Sequence, residues 1–314
     1  MDNSHANITL DSLVEGRVWG ACYDLIARIE PTSYDALIHN LSNERLLRKQ
    51  HEIFDIFNRC KGDWEETLHV VLFRFLGGSH NRAAMERLAG IVSSRVIMRE
   101  NSSRQNLEAL LLGAAGLLDI YNDDDYVGRL KQEFDHMAAK HNLMPMSYDQ
   151  WQFSGMYHNN HPTLRIAQIA ACLHENRISM ASITSCSTRR DIHNLFASSA
   201  SSYWIEQVLT VDDANSVSPR IGQFKSDILG INLVVPIILA YSNYTESKEL
   251  MQRAQTLLRS IPAEDNRYTR CWQGKLAPFK SAVESQAFIQ LSTVYCQTHR
   301  CGECPLAKIL TTPL

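Results

Sequence analysis

One rhythm runs through this chain: apolar residues return every three to four positions and almost never every second one. Trp64, Leu68, Val71, Leu72 and Phe75 form one such stripe, Leu250, Ala254, Leu257 and Leu258 a second, and Phe279, Val283, Ala287 and Leu291 a third. That spacing puts side chains on one face of a helix with about 3.6 residues per turn. The two-residue alternation of half-buried strands is missing. Breakers are also scarce. The 314 residues include 14 glycines and 9 prolines, about 7% against roughly 12% in average usage. An all-β sandwich or a long disordered linker is therefore disfavoured.

Start and stop signals agree with the rhythm. Asp63 precedes the first stripe and Glu66 follows three positions later, the spacing of a capping box. Gly77 and Gly78 close the stripe, since glycine accepts the left-handed conformation of a C-terminal cap. Helices are predicted near 11–29, 34–59, 63–76, 81–93, 103–120, 125–141, 162–175, 187–199, 224–244, 246–260 and 277–297. Two segments, 144–162 and 210–222, read as irregular. The expected fold is all-α: a compact bundle of about a dozen helices. It is expected as two lobes, 1–144 and 145–314, or as one continuous domain.

Two helices read as buried on most faces. In Glu108 to Leu118, the residues Gly113, Ala114, Ala115 and Gly116 allow another backbone to approach closely. In Pro162 to Leu173, only Arg165 and Gln168 are strongly polar, and their spacing sets them on one face. A buried arginine must find acceptors, because an unpaired internal charge costs several kcal/mol. The apolar run Ile228 to Tyr241 is interrupted by Asn232 and Pro236. It is shorter than the roughly 20 residues of a spanning helix, so it reads as core and no membrane partner is expected. The first residues, MDNSHANITL, do not resemble a secretion signal. Eight cysteines in such a chain point to reduced thiols in a cytoplasm.

Several stretches occur in a familiar order: ERLLRK (44–49), GDWEE (62–66), EALLLGAAGLL (108–118), HPTLRIAQIA (161–170), INLVVPIILAY (231–241), IPAEDN (261–266), ESQAFIQL (284–291) and YCQTHRCGEC (295–304). On these the chain resembles the bacterial family known as domain of unknown function 2851, over roughly residues 22–307. The resemblance implies no particular activity. It implies longer members with a strand-rich, loosely nuclease-like N-terminal half, after which this sequence is expected to begin. At YHNNHP (157–162) the sequence departs from the Arg-Pro pair expected there, so a site depending on an arginine in that loop is not expected.

The sharpest chemical motif is Cys296-x4-Cys301-x2-Cys304 with His299 inside it. Thiolates so spaced can wrap zinc or an iron–sulfur cluster. The segment CQTHRCGECPLA resembles the cluster loop of endonuclease III-type DNA glycosylases, but Leu310 stands at that loop's fourth cysteine. Zinc would need His299, or a distant residue such as Cys271, as fourth ligand. The plainer reading, three reduced thiols, weighs slightly more. A second group, Arg165 and Gln168 with Glu264, Asn266, Ser285 and Gln286, can line a polar pocket for phosphate or carboxylate. A satisfied network that fixes helix packing is favoured over it. Asp123, Asp124 and Asp125 read as a turn with a helix cap rather than a Mg²⁺ or Ca²⁺ site. His158 and His161 read as hydrogen-bonded histidines rather than ligands.

Motifs for an NTPase, a doubly wound dinucleotide enzyme, a serine hydrolase and a zincin are missing. A formal charge of −3 argues against a generally basic nucleic-acid surface, although short clusters such as Arg45, Arg48 and Lys49 leave room for phosphate contacts. The leading expectation is a helical binding or scaffold protein without catalytic activity of its own, meeting a protein partner. The alternative is a nucleic-acid-processing protein or a remnant of one.

Overall fold

The structure is a computed structural model. It describes residues 22–311, apart from 24, 122–123, 156, 209–216 and 274–275. The fold is all-α, with no strand among the described residues beyond one isolated antiparallel bridge between Ser199 and Arg220. In chain order the α-helices are α1 (Pro31–Arg59), α2 (Trp64–Leu76), α3 (Arg82–Ile91), α4 (Ser94–Glu100), α5 (Arg104–Ala114), α6 (Asp125–His141), α7 (Pro162–His174) and α8 (Met180–Ser185). They continue as α9 (Arg189–Leu195), α10 (Ser202–Val208), α11 (Gln223–Leu229), α12 (Val235–Tyr244), α13 (Lys248–Ser260), α14 (Arg267–Gln273), α15 (Ala282–Gln290) and α16 (Pro305–Thr311). Most of the helix expected over 11–29 lies outside the described residues; Ile26–Arg28 is a single 3-10 turn.

The described residues pack as two compact units, one of residues 22–51 and 258–311, the other within 52–257. The divide expected near residue 145 falls inside the second unit. The cuts fall within α1 and α13, so neither coincides with a turn-rich stretch.

The first unit is built on an apolar cluster that includes Ile26, Leu37, Leu41, Trp272, Phe288, Leu291, Cys304 and Leu306. Phe288 stacks on Phe279 at 4.8 Å between ring centroids and meets Trp272 at 5.2 Å. In the second unit α5 packs against α6 and α7, and α2 against α3. Leu68, Val71 and Leu72 of the first stripe are buried in this core. Trp64 and Phe75, at its two ends, are half-buried.

Local chemistry explains where the helices stop. Asp63 caps α2 by accepting from the Glu66 amide at 3.1 Å. Glu66 does not close the box; its carboxylate accepts from the Ser94 amide at 2.9 Å, at the start of α4. Gly78 is left-handed with φ +60°, but Gly77 is not (φ −63°). Gly77 is needed for space instead, because a Cβ there would lie 2.4 Å from the Asn81 carbonyl oxygen. The helix expected over 103–120 ends at Ala114. Gly116 turns left-handed at φ +66°, and a Cβ there would sit 2.0 Å from the Met146 oxygen. The helix expected over 224–244 contains a π-helical turn at Gly230–Val234, just before Pro236. A wider turn is one way to accommodate a residue that cannot donate its amide. The stretch Gln223–Tyr244 has the length and composition of a membrane span, yet 72% of its apolar 18-residue window is buried inside the protein, as a core helix would be.

Candidate functional site

Helix α7 begins without a side-chain cap. His161 occupies the N-cap position and Pro162 the first turn, where proline's missing N–H costs nothing. Side chains on a helix lean back toward its N-terminus, and Arg165 does so here. Its Nη2 donates to Asn160 Oδ1 at 2.9 Å, in the loop before the helix. Its Nη1 donates to Gln168 Oε1, also at 2.9 Å, so the i, i+3 pair read from the sequence is made. Gln168 Nε2 in turn donates to the Ser218 carbonyl at 3.0 Å. The Ser218 amide donates to Asn159 Oδ1 at 2.8 Å. The loop 158–161 and the strap at Ser218 thus surround the guanidinium with neutral polar groups.

The electrostatics of this seat are unusual. Arg165 is only 5% exposed; among the described residues no carboxylate is a partner of it and its Nε has no hydrogen-bond partner. Burial alone pulls its pKa down to about 10. His161 Nδ1 is also buried and unpartnered, and its pKa is lowered to about 4 by burial and by the neighbouring His158. A buried cation without an anion costs several kcal/mol, and here the described polar shell contributes dipoles but no opposite charge.

Glu264, Asn266, Ser285 and Gln286 form a separate network within the first unit. Gln286 is fully buried. Its Oε1 accepts from Arg45 Nε at 2.6 Å and from Lys49 Nζ at 2.8 Å. Its Nε2 donates to Glu264 Oε2 at 2.9 Å. Asn266 donates to the other Glu264 oxygen at 3.0 Å, and the Glu264 amide donates to Ser285 Oγ. Two cations and a carboxylate meet through one amide, so this network, unlike the Arg165 seat, contains an opposite charge. Arg45 and Lys49, read from the sequence as part of a short basic cluster with room for phosphate contacts, are the members that reading missed.

The tail cysteines lie on a chain reversal. Cys296 ends a π-helical turn, Leu291–Cys296, and Cys301 opens a 3-10 turn whose next residue, Cys304, is buried. His299 is exposed, with a left-handed φ of +55°. Cys271 is exposed, and its thiol faces the Arg267 carbonyl at 3.1 Å. Among the described residues, no group of three or more His, Cys, Asp or Glu side chains is arranged as a metal cage. Asp124 caps α6, accepting from the Tyr126 and Val127 amides at 2.9 and 2.8 Å; Asp123 lies outside the described residues.

Fold and sites together define an all-α protein of two helical units, each holding a buried polar network. The chain belongs to the family described as protein of unknown function (DUF2851), which matches residues 3–267. The three tail cysteines lie beyond that match. No curated protein and no solved structure matches the chain.

Proposed function

We propose that this protein is a non-catalytic helical binding module that receives a single anionic group, a carboxylate or a phosphate, at Arg165. The observation carrying the reading is the guanidinium itself: nearly fully buried and, among the described residues, without a carboxylate partner and with Nε unpartnered. An anion there would supply the missing charge and accept from Nε in a charge-assisted bond. The uncapped first turn of α7 adds backbone amides and a favourable dipole beside it. A seat so enclosed suits one compact group better than a polyanion lying along a surface. The reading includes a reducing, cytoplasmic setting, supported by eight cysteines that are all free thiols.

Thermal unfolding of the full chain in rising inorganic phosphate, and separately in succinate, tests the proposal. Wild type should gain a rise in Tm from at least one of them that grows with the logarithm of its concentration, equivalent to about 2.7 kcal/mol at a hundredfold excess over Kd. Arg165→Gln should lose that rise. A chain insensitive to both probes, or an Arg165→Met variant that keeps the same rise, would show that Arg165 only packs. Oligonucleotide binding that weakens steeply with salt and survives Arg165→Gln would favour the nucleic-acid alternative instead.

A further inference from the structure

A fourth cysteine stands beside the three in the tail. Cys22 opens the turn before Ile26–Arg28, its carbonyl accepting from the Leu25 and Ile26 amides, each at 3.1 Å. Cys22 and Cys296 pack against the same apolar cluster that contains Cys304, Leu291 and Leu306. The tail folds back through the bonds His299 N to Cys296 O at 3.2 Å and Arg300 N to Tyr295 O at 2.9 Å. Cys304 N then donates to Cys301 O at 3.1 Å, which brings those two residues onto one short turn.

The thiols sense one another. Cys22 lies close enough to Cys304 and Cys301, and Cys296 to Cys304, Cys22 and Cys301, that ionising one thiol would oppose ionising the others. The Leu306 and Ala307 amides face the Cys304 sulfur, as amides that tune ligating thiolates do. The two other candidates for a fourth place, His299 and Cys271, are both exposed.

We propose that Cys22, Cys296, Cys301 and Cys304 hold one thiophilic metal centre, zinc or an iron–sulfur cluster, which ties the N-terminal turn to the C-terminal tail. Four thiolates complete the coordination that either centre requires. Each thiol gives up its proton on binding, and the sulfurs draw in around the metal, so loading is pH-dependent and contributes to folding. The role is structural and does not depend on the Arg165 reading.

The test uses untagged full-length chain, purified anaerobically and without chelator from cells supplied with zinc and iron. About one zinc per chain, or iron with matching acid-labile sulfide and visible charge-transfer absorption, is expected. Cys22→Ser should lower the bound metal at least tenfold, and His299→Ala should leave it unchanged. Wild type holding under about a tenth of an equivalent of both metals overturns the proposal. So does a folded Cys22→Ser variant that keeps its metal.

Thiol mapping of wild type keeps the question open to refutation if Cys22→Ser does not fold. Peptides carrying Cys22, Cys296, Cys301 and Cys304 should resist alkylation until a chelator strips the metal, while exposed Cys271 reacts at once. Equal alkylation of Cys22 with and without metal would exclude it as a ligand.

Discussion

Gly113 has no room for a side chain. A Cβ there would lie 2.1 Å from Cγ of Phe134, so the ring of α6 sits directly on the backbone of α5. Gly113→Ala should therefore cost about 1–3 kcal/mol through overpacking, seen as a lower urea midpoint with an unchanged slope. An equally stable variant would mean that Phe134 moves aside freely. His161 gives a pH signature at the same scale. Its pKa falls from 6.5 to about 4 on folding, because burial and His158 both oppose its charge. Below pH 6.5 the unfolded chain takes up this proton more readily than the folded one, so stability declines as pH falls from 6.5 toward 4. The contribution is fully present above 6.5. Urea titrations across that range should show the decline, and His161→Asn should flatten it; an identical pH slope in the variant would remove His161 as the cause.

At the scale of elements, α2 hangs on its cap. Asp63 satisfies the Glu66 amide and carries an ion pair with Arg95 at 3.0 Å, which is exposed and contributes little. Asp63→Ala should cost about 1 kcal/mol through loss of the cap, read from chemical denaturation. Asp63→Asn, which keeps an oxygen acceptor, should recover most of it, and failure to do so would put the weight on the Arg95 pair. This cap was legible because a polar residue beside an apolar stripe has few other local roles. So was the pairing of Arg165 with Gln168, because i, i+3 spacing fixes a shared face. Asn160, which completes the seat, gave no such signal, since it sits in a loop without period. The early end of α5 was hidden for a different reason. Its apolar residues continue through Leu117 and Leu118, and only the approach of the Met146 carbonyl makes Gly116 a stop. The π turns were equally hidden, because their pattern of apolar residues matches that of an ordinary helix at this length.

At the scale of the whole molecule, the sequence suggested a divide near residue 145, where composition turns polar. The units instead join the start of the described chain to its end. Composition cannot reveal such closure, because the partners of α1 are set by long-range packing between stripes that look alike. Cys22 escaped notice for the same reason: its neighbours in space are in the C-terminal tail. The closure has a measurable consequence. Phe288 is fully buried in the core of the first unit, so Phe288→Ala should cost about 3–5 kcal/mol. Because each unit has its own core, that loss should be uneven. Hydrogen exchange should speed up in residues 31–51 and 258–311 together, although they lie far apart in sequence, while α5 and α7 keep their protection. Acceleration confined to α15 would mean that the two segments do not share one cooperative core. Uniform acceleration along the chain would mean that the two units open as one.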